Sequence, residues 1–162
     1  MSKKTIVVKR LTQKDSIAFN RICDWHYNWF GKRDNKPYEE IEENLLHSLN
    51  TRKQLPQTFV AWIDNKPVGT YQFAMMDDID SRPDIYPWLI SVYVEENHRG
   101  KGVLKTMMET VQKNAKKAGL DHLYLYTSHK NLYDKFGWKY IGPIKTYRKK
   151  TPLEKLYFLK IK

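Results

Sequence analysis

The chain reads as an α/β protein, a mixed sheet with helices packed on its faces. Three observations lead there. Apolar residues alternate in short β-branched and aromatic runs such as "TFVAWI" and "DHLYLYT", the pattern of strands. Between those runs, apolar residues recur at helical spacing, as in "VLKTMMETVQKNAKK". Finally, "VYVEENHRGKGVLKTMMETV" begins as a strand, breaks at two glycines beside Arg and Lys, and resumes as a helix. The predicted order is β-α-α-β-β-β-α-β-α-β-β, without repeats or linkers, and 162 residues suit one domain spanning 1–162.

"TIVVKRL" forms the first strand. "QKDSIAFNRICDWHYNWFGK" follows as a helix closed by Gly31, with Ile22, Trp25 and Trp29 on its core side. "KPYEEIEENLLHSL" is a second helix: Pro37 stands near its start, acidic residues fill its first turns, and Ile41, Leu45 and Leu49 form a stripe. "TFVAWI" and "PVGTYQFAM", joined by Asp64-Asn65-Lys66, read as a hairpin. "MDDIDSRPD" is a polar loop, and "PWLISVYV" is the strand that enters the glycine break. The next helix runs from about Val103 to Ala118, with Val103, Met107, Val111 and Ala115 on one face and Gly119 at its end. "DHLYLYT" is a strand, "NLYDKFG" one or two helical turns, and "WKYIG" and "EKLYFLKI" the closing strands.

Composition narrows the setting. One cysteine, Cys23, allows no internal disulfide, no run approaches the roughly 18 apolar residues of a membrane span, and Ile6–Val8 is too short for a signal peptide. A cytoplasmic protein with no membrane partner is expected. The net charge of +11 favours a polyanionic ligand such as nucleic acid or a phosphate-rich cofactor, although scattered lysines also serve solubility alone. The histidines at 26, 47, 98, 122 and 129 are dispersed, so no metal site is expected.

The glycine break is the motif that carries chemistry. A loop between a strand and a helix start holds anions, because backbone N–H groups curl around the charge and the helix end is partly positive. Two common phosphate loops are excluded. A Walker A loop needs glycines where Arg99 and Leu104 stand, and a dinucleotide fingerprint needs a third glycine where Lys105 stands.

Arg99-Gly100-Lys101-Gly102 instead matches the first four positions of R/Q-x-x-G-x-G/A, the pyrophosphate loop of the GNAT superfamily of N-acetyltransferases. "YPWLISVYVEENHRGKG" resembles that family's fourth strand and loop, "LYDKFGW" its later L-Y-x-K-x-G-[FW] segment, and "LPQTFVAWIDNKPVG" its hairpin. The chain resembles the family over nearly its whole length and in the family's order. Leu104 departs from the pattern, standing where relatives have Gly or Ala. Its amide can still donate, but its side chain must turn away, so weaker cofactor binding than in relatives is expected.

The resemblance implies a mostly antiparallel mixed sheet, splayed between its fourth and fifth strands, with helices on both faces. It implies acetyl-CoA as cosubstrate: pantetheine along the backbone of Val92, Tyr93 and Val94, pyrophosphate on the amides of Arg99, Gly100, Lys101, Gly102, Val103, Leu104 and Lys105, and Asn131 reaching the arm from the other side. Lys101, Lys105 and Lys130 are candidates for the terminal phosphates. Tyr133 matches the tyrosine that faces the CoA sulfur. A phenol near pKa ~10 gives its proton to a thiolate near ~8.5 only uphill, by about 2 kcal/mol, so its first role is a hydrogen bond to the developing thiolate.

The acceptor implied is a primary amine, almost wholly protonated at neutral pH and in need of a base. "WLISVYV" holds no acid or histidine, leaving Asp78 and Asp84 as the nearest candidates, followed by Glu95 and His98. Asp77, Asp78, Asp80 and Asp84 would favour a cationic small molecule if their loop bordered the acceptor. Trp25, Tyr27, Trp29 and Phe30 lie where the family's variable acceptor wall usually sits, although the spacing of Trp25 and Trp29 is that of plain core. A protein amine is a second kind of acceptor, and a homodimer is compatible with the family. Two other readings compete with the enzyme: a non-catalytic acyl-CoA sensor on the same fold, and a basic nucleic-acid-binding protein resting on charge and on "KTYRKKTPLEKLYFLKIK".

Overall fold

A computed structural model describes residues 4–77, 79, 82–146 and 152–162. Among these the strands are β1 (Ile6–Arg10), β2 (Gln57–Ile63), β3 (Lys66–Ala74), β4 (Trp88–Val94), β5 (His122–Thr127), β6 (Lys139–Ile144) and β7 (Glu154–Lys160). They form one sheet in the order β1-β2-β3-β4-β5-β7-β6. β4 and β5 run parallel, whereas β1/β2, β5/β7 and β6/β7 are antiparallel. The helices are α1 (Ser16–His26), α2 (Tyr38–Asn50) and α3 (Val103–Lys117), and none is long and apolar enough to cross a membrane. The expected element order and mixed α/β class are both observed.

By contact density the chain forms two compact units. The first comprises Met1–Gln72 with Ser91–Met107. Its core joins Ala18, Ile22, Cys23 and Trp25 of α1 to Ile41 and Leu45 of α2 and Val60 of β2. Leu49, expected in the α2 stripe, is only partly buried, while Ser48 is wholly enclosed. Enclosure is tolerable because the Ser48 hydroxyl donates to Leu45 O at 2.6 Å and accepts from the Thr58 hydroxyl at 2.7 Å. The hairpin turn is Asp64-Asn65, with φ of 49° and 64°, a left-handed pair that Asp and Asn tolerate.

α1 does not run regularly to Gly31. Tyr27–Gly31 is a π-helical turn in which the Lys32 N–H donates to Tyr27 O at 2.9 Å, an i→i+5 bond. The wider turn shifts the helical phase, so Trp29 does not follow Trp25 into the core. Trp25 is 7% exposed and Trp29 43%. The expectation that Trp29 is plain core is therefore corrected.

The second unit comprises Phe73–Ile90 with Met108–Lys162. Ile79, Ile85 and Trp88 pack with Ile144 and Leu156, so the loop after β3 contributes apolar anchors despite its polar sequence. The Trp88 indole N–H donates to Ile85 O at 2.9 Å. β6 shifts register between Tyr140 and Gly142, whose φ of 140° needs glycine. At the end of α3, Gly119 (φ 77°) donates to Lys116 O and Leu120 to Ala115 O, both at 3.0 Å, a left-handed glycine closure.

Candidate acetyl-CoA site

The glycine break begins where β4 ends. The Glu95 N–H is held by Val68 O at 2.8 Å, and a single 3-10 turn, Glu96–His98, brings the chain to Arg99. The Arg99 side chain folds back onto the strand: its Nε donates to Val94 O at 2.9 Å, and the guanidinium lies over the Tyr93 ring at 5.4 Å. Arg99's own amide is occupied by Glu96 O at 3.3 Å, so the anion-facing run starts one residue later than expected.

From Gly100 to Lys105, no backbone amide is paired with a carbonyl among the described residues. The first to be paired is Thr106, which donates to Gly102 O at 3.0 Å. Gly100 and Gly102 adopt φ of 76° and 86°, and a Cβ built on either would meet no atom within 4 Å. The glycines are thus required by the backbone turn, and they leave open space over consecutive N–H groups at the positive end of a fifteen-residue helix. This geometry fits a pyrophosphate. The Leu104 amide belongs to the unpaired run, and Lys101 and Lys105 are exposed beside it.

α3 reaches this position through Gly69 of β3. A Cβ there would lie 3.1 Å from Tyr93 O, 3.2 Å from Val103 Cγ1 and 3.1 Å from Met107 Sδ, so its absence lets the first turn of α3 approach the strands closely.

β4 carries a feature that its sequence does not announce. Ser91 has φ 53° in the middle of the strand. A non-glycine residue in the left-handed region inside a strand is uncommon, and this one stands immediately before Val92, Tyr93 and Val94. The boundary between the two compact units falls at this residue. Asn or Gly would have signalled it, but Ser does not.

In the second unit, Asn131 is exposed with φ 59° and leads through Leu132 into a 3-10 turn, Tyr133–Phe136. Tyr133 is 7% exposed, its ring edge-on to Trp138 at 6.3 Å and tilted against Tyr157 at 6.4 Å. Its hydroxyl has no hydrogen bond among the described residues, and burial pushes its pKa up to about 12. The phenol therefore stays protonated and available as a donor. Full transfer to a thiolate near ~8.5 would now cost about 5 kcal/mol, which favours donation over transfer. The Tyr157 hydroxyl donates to Asp134 Oδ1 at 2.9 Å and braces the turn from the other side.

Of the candidate bases, Asp78 lies outside the described residues, as does Asp80 of the acidic cluster. Asp84 is exposed and held by Arg82 through two bonds of 3.0 and 2.9 Å, which lower its pKa below the usual carboxylate range. That pairing works against a role as base. Cys23 is buried and its thiol is pushed up to about 12, so it is no nucleophile. Sequence reading passed over His26, which is 3% exposed with an Nε2 that has no hydrogen-bond partner among the described residues. Burial lowers its pKa to about 4.

Comparison with known proteins agrees with this geometry. No curated protein matches the chain in sequence. Among solved structures, an aminoglycoside 6'-N-acetyltransferase complexed with coenzyme A superposes with a TM-score of 0.74 at 13% identity, over 96% of this chain and 97% of that one. An N-acetyltransferase from Staphylococcus aureus Mu50 gives 0.71 at 18% identity over 98% and 99%. A protein from Salmonella typhimurium with its cofactor acetyl-CoA gives 0.71 at 15% over 97% and 94%. These likenesses establish the fold. The model of the acetyltransferase (GNAT) family matches residues 19–138, most of the chain and both of its compact units, and the chain belongs to that family.

Proposed function

We propose that this protein is an N-acetyltransferase that moves the acetyl group of acetyl-CoA onto a primary amine of a small molecule. The whole chain 1–162 acts as one domain in the cytoplasm. The observation that carries the reading is the run of unpaired amides from Gly100 to Lys105 at the start of α3, in a chain of this family. Acetyl-CoA supplies an activated thioester, and the family's direct attack by a bound amine is the mechanism adopted. The Gly100–Lys105 amides bind the pyrophosphate, and the backbone of Val92–Val94 takes the pantetheine. Asn131 orients the arm. Tyr133 keeps its proton on Oη and donates a hydrogen bond where negative charge develops on sulfur. For the acceptor's proton the candidates stay Asp78 and Asp84, with Asp84 weakened by Arg82.

The test is thermal unfolding of the full chain with acetyl-CoA, desulfo-CoA and a short DNA duplex, followed by thiol release over a panel of amines. A ligand at a hundred times its Kd adds about 2.7 kcal/mol of stability. A raised midpoint with both CoA species and thiol release with an amine are expected. A raised midpoint with no thiol release for any amine would favour the acyl-CoA sensor, and no shift at millimolar acetyl-CoA would end the reading.

A further inference from the structure

The π-helical turn after α1 exposes an aromatic surface that the proposed reaction has not yet used. Trp29 stands 43% exposed, tilted against Tyr93 of β4 at 5.8 Å and edge-on to Phe30 at 5.8 Å. Trp25 supports Tyr93 from the buried side at 5.2 Å, and Phe30 leans on His26 at 5.1 Å. Single exposed apolar residues are ordinary. This one differs because it continues a connected row of rings and touches the residue between Val92 and Val94. π turns are rare, and they collect at functional sites.

The charges around the row define what it can take. Arg99 lies over Tyr93, and Lys32 lies over Tyr27 at 5.5 Å, so cations already cover two of the rings. Two of the carboxylates near the row are engaged: Asp24 accepts from the Tyr38 hydroxyl at 2.7 Å, and Asp34 is paired with Arg33 at 3.1 Å. A polycation would meet like charge here, within a chain of net charge +11. A flat apolar group would meet the exposed indole of Trp29 beside Phe30 and bring at most one charge.

Resting on the acetyltransferase reading, we infer that the acceptor is a monoamine joined to an aromatic group, seated against Trp29 and Tyr93, and that polycationic amines are poor substrates. Such an acceptor carries a single charge, fewer than a polyamine of the kind the aspartates at 77, 78, 80 and 84 would favour.

The test pairs a binding assay with a rate assay on the full chain. Equilibrium dialysis without acetyl-CoA compares retention of 2-phenylethylamine and spermidine by the unaltered protein, Trp29→Ala and Trp29→Leu. Phenylethylamine should be retained at least about tenfold better than spermidine, and both substitutions should lose that preference. In thiol release, kcat/KM for phenylethylamine over ethylamine should exceed about ten, carried by KM, and fall toward one in either variant. Equal retention by the unaltered protein and the variants, or better retention of spermidine, overturns the inference. So does a rate ratio that Trp29 does not change. The acetyl-CoA midpoint shift reports separately on the acetyltransferase reading, so dialysis tests the aromatic seat even if that reading fails.

Discussion

At the scale of single residues, two buried side chains owe their properties to lack of solvent, and one of them carries the proposed chemistry. Tyr133 sits among Trp138 and Tyr157 with a hydroxyl that has no hydrogen bond among the described residues and a pKa pushed up to about 12. A donor of this kind matters most when charge builds on its partner. Tyr133→Phe should lower kcat by about 10²-fold while leaving acetyl-CoA affinity within about twofold. Turnover equal to the unaltered enzyme would remove Tyr133 from the mechanism. His26 is the second case. Its ordinary pKa of 6.5 applies in the unfolded chain, whereas burial lowers it to about 4 in the fold. Between those values the unfolded state binds the extra proton, so stability is full above pH 6.5 and falls as pH drops toward 4. From pH 7 to pH 5 the loss should be about 2 kcal/mol by urea unfolding, and His26→Phe should flatten it. An unchanged slope in that variant would place the acid sensitivity elsewhere.

At the scale of elements, the site depends on how closely α3 approaches β3 and β4. Gly69 makes this possible, because a Cβ there would crowd Tyr93 O, Val103 and Met107, which would have to give way. Gly69→Val should destabilise the protein by about 1–3 kcal/mol and weaken the acetyl-CoA midpoint shift, since the first turn of α3 carries part of the amide run. A lowered midpoint with an unaltered acetyl-CoA shift would separate the packing from the site. The helix itself could be read from its residues: Val103, Met107, Val111 and Ala115 recur at helical spacing and are all buried. The start of its unpaired amide run was legible to within one residue. The error at Arg99 arose because a 3-10 turn supplied a partner, Glu96 O, that no residue type foretells. The π turn was also invisible, since "YNWFG" is compatible with continued helix. Its i→i+5 bond is settled by packing, and with it the exposure of Trp29.

At the scale of the whole molecule, charge and compactness bear on the rival readings. The positive charge is spread along the whole chain: Lys113, Lys116 and Lys117 crowd the end of α3, where cations suit the helix dipole, Lys9 and Arg10 close β1, and Arg148, Lys149 and Lys150 follow in the sequence near its end. Nucleic-acid binding of that origin is nonspecific and steeply salt-dependent. In the thermal panel the duplex should therefore give no midpoint shift at ordinary ionic strength, while the acetyl-CoA shift persists. The glycine loop and Val92–Val94 belong to the first compact unit, and Asn131 and Tyr133 belong to the second.

By itself, the sequence determined the order of elements, the hairpin turn, the glycine loop and its family. These follow from local causes: periodic burial, the left-handed tolerance of Asp, Asn and Gly, and the conformational demands of an anion loop. Tertiary structure alone decided the left-handed backbone at Ser91, the retreat of Arg99 onto Val94 and Tyr93, the π turn, and the dry settings of Tyr133 and His26. Each of these depends on three-dimensional contacts or on exclusion of water, and neither is written in the identity of the residue concerned.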